Sequence, residues 1–212
     1  MFAKEQEIYT GAYPDKMKDL MTDDTPLYSQ RNNEILPPEA CNVTAMCQAL
    51  AICGYQFPKG DYRQEEDNLM YFILHDPRVR DFYVKYNQPS YKPYELHEAL
   101  CYATNLWMDK HVCAFRASID FEKTISNIDH GNCILFGGRY PTYKGTLIDH
   151  ITCCHGYAGD NIILADSWGN YQTLYAETRA QRSVLMPHED FISYIKTPEV
   201  DVKWGDIVYA RS

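Results

Sequence analysis

Residues 37–54 read Pro37-Pro38-Glu39-Ala40-Cys41-Asn42-Val43-Thr44-Ala45-Met46-Cys47-Gln48-Ala49-Leu50-Ala51-Ile52-Cys53-Gly54. The prolines force an extended approach. Val43, Met46, Cys47 and Leu50 then recur at helical spacing and Gly54 is a natural stop, so the stretch predicts a helix from about Cys41 to Cys53. Asn42 and Thr44 can help satisfy the backbone donors that its first turn leaves free. Cys41 therefore falls at a helix N-terminus, where the positive end of the helix dipole favours a thiolate.

Outward from this helix the chain divides by period. Helical patterns cover about Gln64–Leu74 and Pro93–Leu106, with breaks at His75-Asp76-Pro77 and Asn87-Gln88-Pro89, and a further helix runs from about Asp120 to Ile128. The second half turns to strand patterns: Cys133–Phe136, His150–Tyr157 and Asn161–Asp166, with Tyr171–Tyr175 and Ile207–Ala210 as further candidates. Gly137–Gly145, rich in glycine and polar residues, reads as a loop on the rim of a cleft. The first residues are polar and irregular, with a short helix near Asp15–Met21. Without repeats or a Gly/Ser linker, the expected organisation is an N-terminal arm (1–25) and one domain (26–212) of α+β class, a helical half packed on an antiparallel sheet.

Composition narrows the function. At 212 residues and a formal charge of -9, the chain lacks the basic surplus that a nucleic-acid partner requires. No apolar run is long enough to suggest a membrane span, and the N-terminus has no secretory pattern, so the expected location is cytoplasmic at synthesis, with release to the cell wall as a later option. The eight cysteines then read as reduced thiols. They show no Cys-x-x-Cys spacing and no His-Glu-x-x-His occurs, so neither metal nor cofactor is expected. Cys153 and Cys154, adjacent on a strand, should face opposite ways. Tyr83, Tyr86, Tyr91 and Tyr94 form a cluster that suits either a polymer-binding groove or packing between helices.

The chemistry lies in residues far apart in sequence. If Tyr157 faces Asn161 across a three-residue turn, antiparallel pairing puts His150 opposite Trp168 and diagonal to Asp166, within side-chain reach. A carboxylate there fixes the imidazole tautomer and stabilises the imidazolium. His155 points to the other face of the strand and fails that test. His75, His97, His111, His130 and His188 read as structural. With the Gln30 amide as oxyanion donor, Cys41, His150 and Asp166 supply what acyl transfer by a cysteine nucleophile needs.

The order Gln30, Cys41 at a helix start, His150 on a strand, then Asp166-Ser167-Trp168-Gly169 resembles the papain-like cysteine peptidases. An acidic third member, the His150…Gly156-Tyr157…Asp166 hairpin and the segment Ser118–Gly138 are similar to the bacteriocin-processing (double-glycine leader) peptidase-like group. The resemblance runs from about Pro26 to Tyr175, with Cys41-Asn42-Val43-Thr44 standing where many relatives have Cys-Gly-Pro-Thr. It implies a papain-like fold and a peptidase or amidase with catalytic Cys41, His150, Asp166 and Gln30. Trp168 would shield the His–Asp bond and, with Arg139 and Tyr143, contact substrate. The substrate would be a peptide, including the stem peptides of peptidoglycan cleaved by lysin-like enzymes. An acyltransferase or transglutaminase using the same residues, and a silent binding module, are the alternatives.

Overall fold

The computed structural model describes residues 16–85, 97–195 and 204–211. Among them, six helices are α1 (Cys41–Ile52), α2 (Glu65–His75), α3 (Pro77–Lys85), α4 (His97–Trp107), α5 (Phe121–Asp129) and α6 (His188–Tyr194). The strands are β1 (Met17–Asp19), β2 (Cys113–Arg116), β3 (Cys133–Pro141), β4 (Leu147–Ala158), β5 (Asn161–Asp166), β6 (Gln181–Pro187) and β7 (Gly205–Val208). They form one antiparallel sheet in the order β2-β7-β3-β4-β5-β6, with β1 also on β4. The α+β architecture, helices packed on an antiparallel sheet, is the one the sequence implies.

Two cores flank the sheet. One joins Val43, Met46 and Leu50 of α1 to Leu69 and Ile73 of α2, Leu100 of α4, and the strand residues Leu135 and Cys153. The other joins Phe121 and Ile125 of α5 and Phe191 of α6 to Ile134, Phe136, Cys154 and Leu164. Leu135 and Phe136 fall to different cores, as do Cys153 and Cys154, which is strand alternation made visible. Burying a side chain such as Met46 or Leu50 contributes about 2 kcal/mol, and both are fully buried. Helix α1 is thus a central rod against β4 and β3, which fixes the position of its first residue.

The hairpin that carries His150 and Asp166 reaches its register by a different route from the one predicted. The turn is one residue shorter: Ala158 pairs with Asn161 and Tyr157 with Ile162. A β-bulge between Cys154 and Gly156 then takes up the extra residue, His155, and restores the pairings Cys154–Leu164 and Cys153–Ala165 that the longer turn would have given. His155 is buried and anchored on both ring nitrogens, to Asp19 Oδ1 at 2.8 Å and to the Arg182 carbonyl at 3.0 Å.

Other expectations are corrected. The segment near Asp15–Met21 is not a helix: Met17–Asp19 is β1, because the stretch Gly156–Ala158 of β4 leaves backbone groups beyond the reach of β3, and β1 satisfies them. Gly137–Gly145 is mostly strand, since β3 runs to Pro141 and pairs with β4 as far as Leu147. Its glycines serve packing: a Cβ at Gly137 would collide with the Trp204 ring, and one at Gly138 with the Tyr140 ring. Tyr171–Tyr175 is no strand but a 3₁₀ turn over Tyr171–Thr173, followed by Leu174 and Tyr175 in left-handed backbone (φ 53° and 57°). Helix α3 follows the break at Asp76 instead of being excluded by it, with Pro77 at its first position and Asp76 Oδ1 accepting from the Arg78 N–H at 2.8 Å. The break at Asn87-Gln88-Pro89 and the residues Tyr86, Tyr91 and Tyr94 lie outside the described residues, as does the side chain of Tyr83.

Candidate active site

Cys41 opens α1, directly after a 3₁₀ turn at Pro37–Glu39 that is entered through Leu36 in left-handed backbone (φ 48°). All eight thiols are free; Cys41 is half-buried and the other seven are buried. As first residue of the helix, its N–H has no acceptor within the helix. Asn42 Oδ1 accepts from the Val43 N–H at 2.8 Å, as a residue beside a helix start can. Thr44 is used differently: its hydroxyl meets the Asn33 side chain, tying α1 to the segment before it.

His150 of β4 is buried, and its Nε2 lies 2.7 Å from Asp166 Oδ1 at the end of β5. The Cys41 thiol lies near enough to the same ring to act on its proton. Burial alone would lower the imidazole pKa, but the Asp166 charge and hydrogen bond, with Cys41 adding to them, raise it to about 10. Both neighbours thus favour the protonated form of the ring against the effect of burial.

Asp166 is itself held by backbone. Its Oδ1 accepts from the Trp168 N–H at 2.9 Å and the Gly169 N–H at 3.2 Å, and its Oδ2 from the Tyr175 hydroxyl at 3.1 Å. Burial, then the neighbouring Asp166 charge, pushes the Tyr175 phenol pKa well up, so it remains a donor. Nothing in the spacing of the sequence marked Tyr175, which reaches Asp166 only because two successive left-handed residues turn the chain back.

Gln30 is buried with both ends of its amide engaged. Nε2 donates to the Pro37 carbonyl at 3.2 Å, and Oε1 accepts from the Ser167 hydroxyl at 2.8 Å. The first contact ties Gln30 to the turn before Cys41, the second to the residue after Asp166. An amide nitrogen carries two hydrogens, so one remains for an incoming oxygen. Ser167, which sequence reasoning passed over although it lies in the Asp-Ser-Trp-Gly motif, thus holds the Gln30 amide in place.

The three residues expected to contact substrate are placed unevenly. Trp168 is half-buried beside Asp166, and its indole lies under the Arg31 guanidinium, 3.5 Å from Cζ to ring centroid. Arg139 lies opposite Asp149 in the β3–β4 ladder, next to the Gly138–His150 pair, with its Nε 3.4 Å from the Asp149 carboxylate. Tyr143 is exposed in the β3–β4 turn, and its N–H donates to the Leu174 carbonyl at 2.8 Å. The structure brings Cys41, His150, Asp166 and Gln30 together, with Trp168 beside them. Among the described residues, no group of three or more His, Cys, Asp or Glu side chains could hold a metal ion.

Comparison with known proteins follows the same lines. The model of the Peptidase_C39-like family matches residues 22–185. A search of curated proteins finds no match. A crystal structure described as a C39-like peptidase from Bacillus anthracis has the same fold, with a TM-score of 0.56 and 12% identity over 92% of this chain and 99% of that one. The family match spans well over half of the sequence, and the chain belongs to the Peptidase_C39-like family of papain-like cysteine peptidases.

Proposed function

We propose that the protein hydrolyses a peptide or amide bond through a Cys41–His150–Asp166 triad and a thioester intermediate. The observation that carries this reading is one buried imidazole held by the Asp166 carboxylate, with the Cys41 thiol at the start of α1 close enough to act on its proton. The Cys41 thiolate attacks the carbonyl carbon, and the carbonyl π electrons move to oxygen, where the free Gln30 N–H and the Cys41 N–H receive them. Collapse breaks the C–N bond as His150 gives its proton to the leaving amine. Water, deprotonated by His150, then attacks the thioester and expels the thiolate.

Peptides are the substrate class that the family supports, and stem peptides of peptidoglycan are those we place first. An amine acceptor in place of water would make the same residues an acyltransferase, so wall peptides, protein and amine acceptors belong in one assay. The test of the mechanism is a brief iodoacetamide pulse near neutral pH with peptide mapping. Cys41 should label ahead of the seven buried thiols, much less so in His150→Ala and moderately less in Asp166→Asn, and Cys41→Ala should be folded and inactive. Wild-type-like hydrolysis by Cys41→Ala, or labelling of Cys41 indifferent to His150, refutes the triad.

A further inference from the structure

Arg31 follows Gln30 in the 3₁₀ turn Gln30–Asn32 and is exposed, yet it is held in one orientation. Its Nε donates to the Trp168 carbonyl at 2.9 Å, and its Cζ lies 3.5 Å from the centre of the Trp168 indole. The indole contact and one hydrogen bond fix a planar fork whose outer nitrogens, Nη1 and Nη2, have no hydrogen-bond partner among the described residues. Among the described residues no carboxylate pairs with Arg31, although the chain carries a formal charge of -9 and Arg78 and Arg139 both have acidic partners.

The fork is anchored at both ends to the candidate site. Gln30, next in the chain, is the proposed oxyanion donor, and Trp168 donates its N–H to the Asp166 carboxylate. Burial lowers the guanidinium pKa and the charge of Asp166 raises it, which places the cation within the electrostatic reach of the reacting residues. A preorganised arginine edge with two free N–H-bearing nitrogens matches the two oxygens of a carboxylate.

We propose that Arg31 is a specificity-determining residue that binds a carboxylate of the substrate close to the scissile amide; the inference rests on Cys41 being the nucleophile. The substrate class is then an acidic peptide, bearing its carboxylate either on a side chain or at a free chain terminus.

Three thiol-directed probes separate these cases: iodoacetyl-glutamic acid α-amide, iodoacetyl-glutamine with a free α-carboxylate, and iodoacetyl-glutamine amide, which has neither. The rate of Cys41 alkylation by each is read by peptide mapping in wild type, Arg31→Met and Arg31→Lys. Dividing each acidic rate by the neutral rate in the same variant removes any general effect on the thiol or the fold, and comparing variants removes the attraction of the His150 imidazolium. One acidic probe should show a ratio that falls about tenfold or more in Arg31→Met and is partly kept in Arg31→Lys, and which probe shows it names the source of the carboxylate. Acid-to-neutral ratios that are the same in all three proteins overturn the role of Arg31 while leaving Cys41 as nucleophile. A Cys41 that labels no faster than the buried thiols, even with the neutral probe, refutes the nucleophile and this inference with it.

Discussion

Among the described residues Asp166 receives four donors, and only one of them is the catalytic candidate His150. The carboxylate therefore keeps its orientation when the imidazole exchanges protons, because two backbone N–H groups and a phenol hold it. Gln30 has the same kind of support from Ser167, and here the support can be tested apart from the thiol. Ser167→Ala removes the hydroxyl that fixes Gln30 Oε1 and leaves the amide with only its Pro37 contact. A loosened oxyanion donor affects the transition state for acyl transfer, whereas alkylation by iodoacetamide builds no oxyanion. The kcat of Ser167→Ala should fall about tenfold, less than the hundredfold or more expected for deleting a donor outright, while labelling of Cys41 falls far less. Parallel loss of both would place Ser167 in support of the thiol rather than of Gln30.

At the scale of elements, the site depends on how β3 and β4 meet. Gly138 sits directly opposite His150, and the space a side chain would need there is filled by the Tyr140 ring, itself fully buried 6.3 Å from the His150 ring between centroids. Gly138→Ala should therefore force that ring against its neighbours, costing about 1–3 kcal/mol in urea unfolding and lowering activity through His150. An unchanged melting profile with full activity would show that the Tyr140 ring can move aside. The same ladder shows what the sequence could and could not reveal. Helix α1 and strands β4 and β5 were legible because each carries its own apolar period and stop signals. The pairing of His150 with Asp166 was legible in outcome only, since the shorter turn and the bulge at His155 offset each other. Strand β1, the left-handed pair Leu174–Tyr175 and the Tyr175 contact were not legible: each is fixed by a partner distant in sequence, and no local period reports such a partner. Gly137 and Gly138 misled for the same reason, since glycine written into a strand to admit a ring looks like glycine written into a loop.

On the scale of the whole molecule, the candidate site is assembled from both cores: α1, which carries the Cys41 thiol at its start, packs in the core on one face of the sheet, and the Tyr140 and Tyr175 rings around His150 belong to the other. Folding is what brings Cys41 and Asp166 to the same imidazole, so the charge state of His150 is linked to stability. Its pKa rises from 6.5 to about 10 on folding, despite burial, because of Asp166 and Cys41. A group that holds its proton more tightly when folded stabilises the fold in full below its unfolded pKa, and this contribution is withdrawn as pH rises from 6.5 through about 10. Glu66, fully buried in α2, acts in the same pH direction through a different cause. Burial, above all, pushes its carboxyl up to about 7, so ionisation above the ordinary carboxylate range costs stability. Total stability against pH would mix the two, and the informative quantity is the difference between wild type and His150→Gln, which both retain Glu66. That difference, from urea unfolding at about pH 6, 8 and 10.5, should be largest at the lowest pH and shrink steadily toward the highest. A difference that stays constant across the range would mean that folding leaves the His150 pKa unshifted, and one that grows with pH would mean that burial keeps the ring neutral; either result excludes an imidazolium held between Cys41 and Asp166.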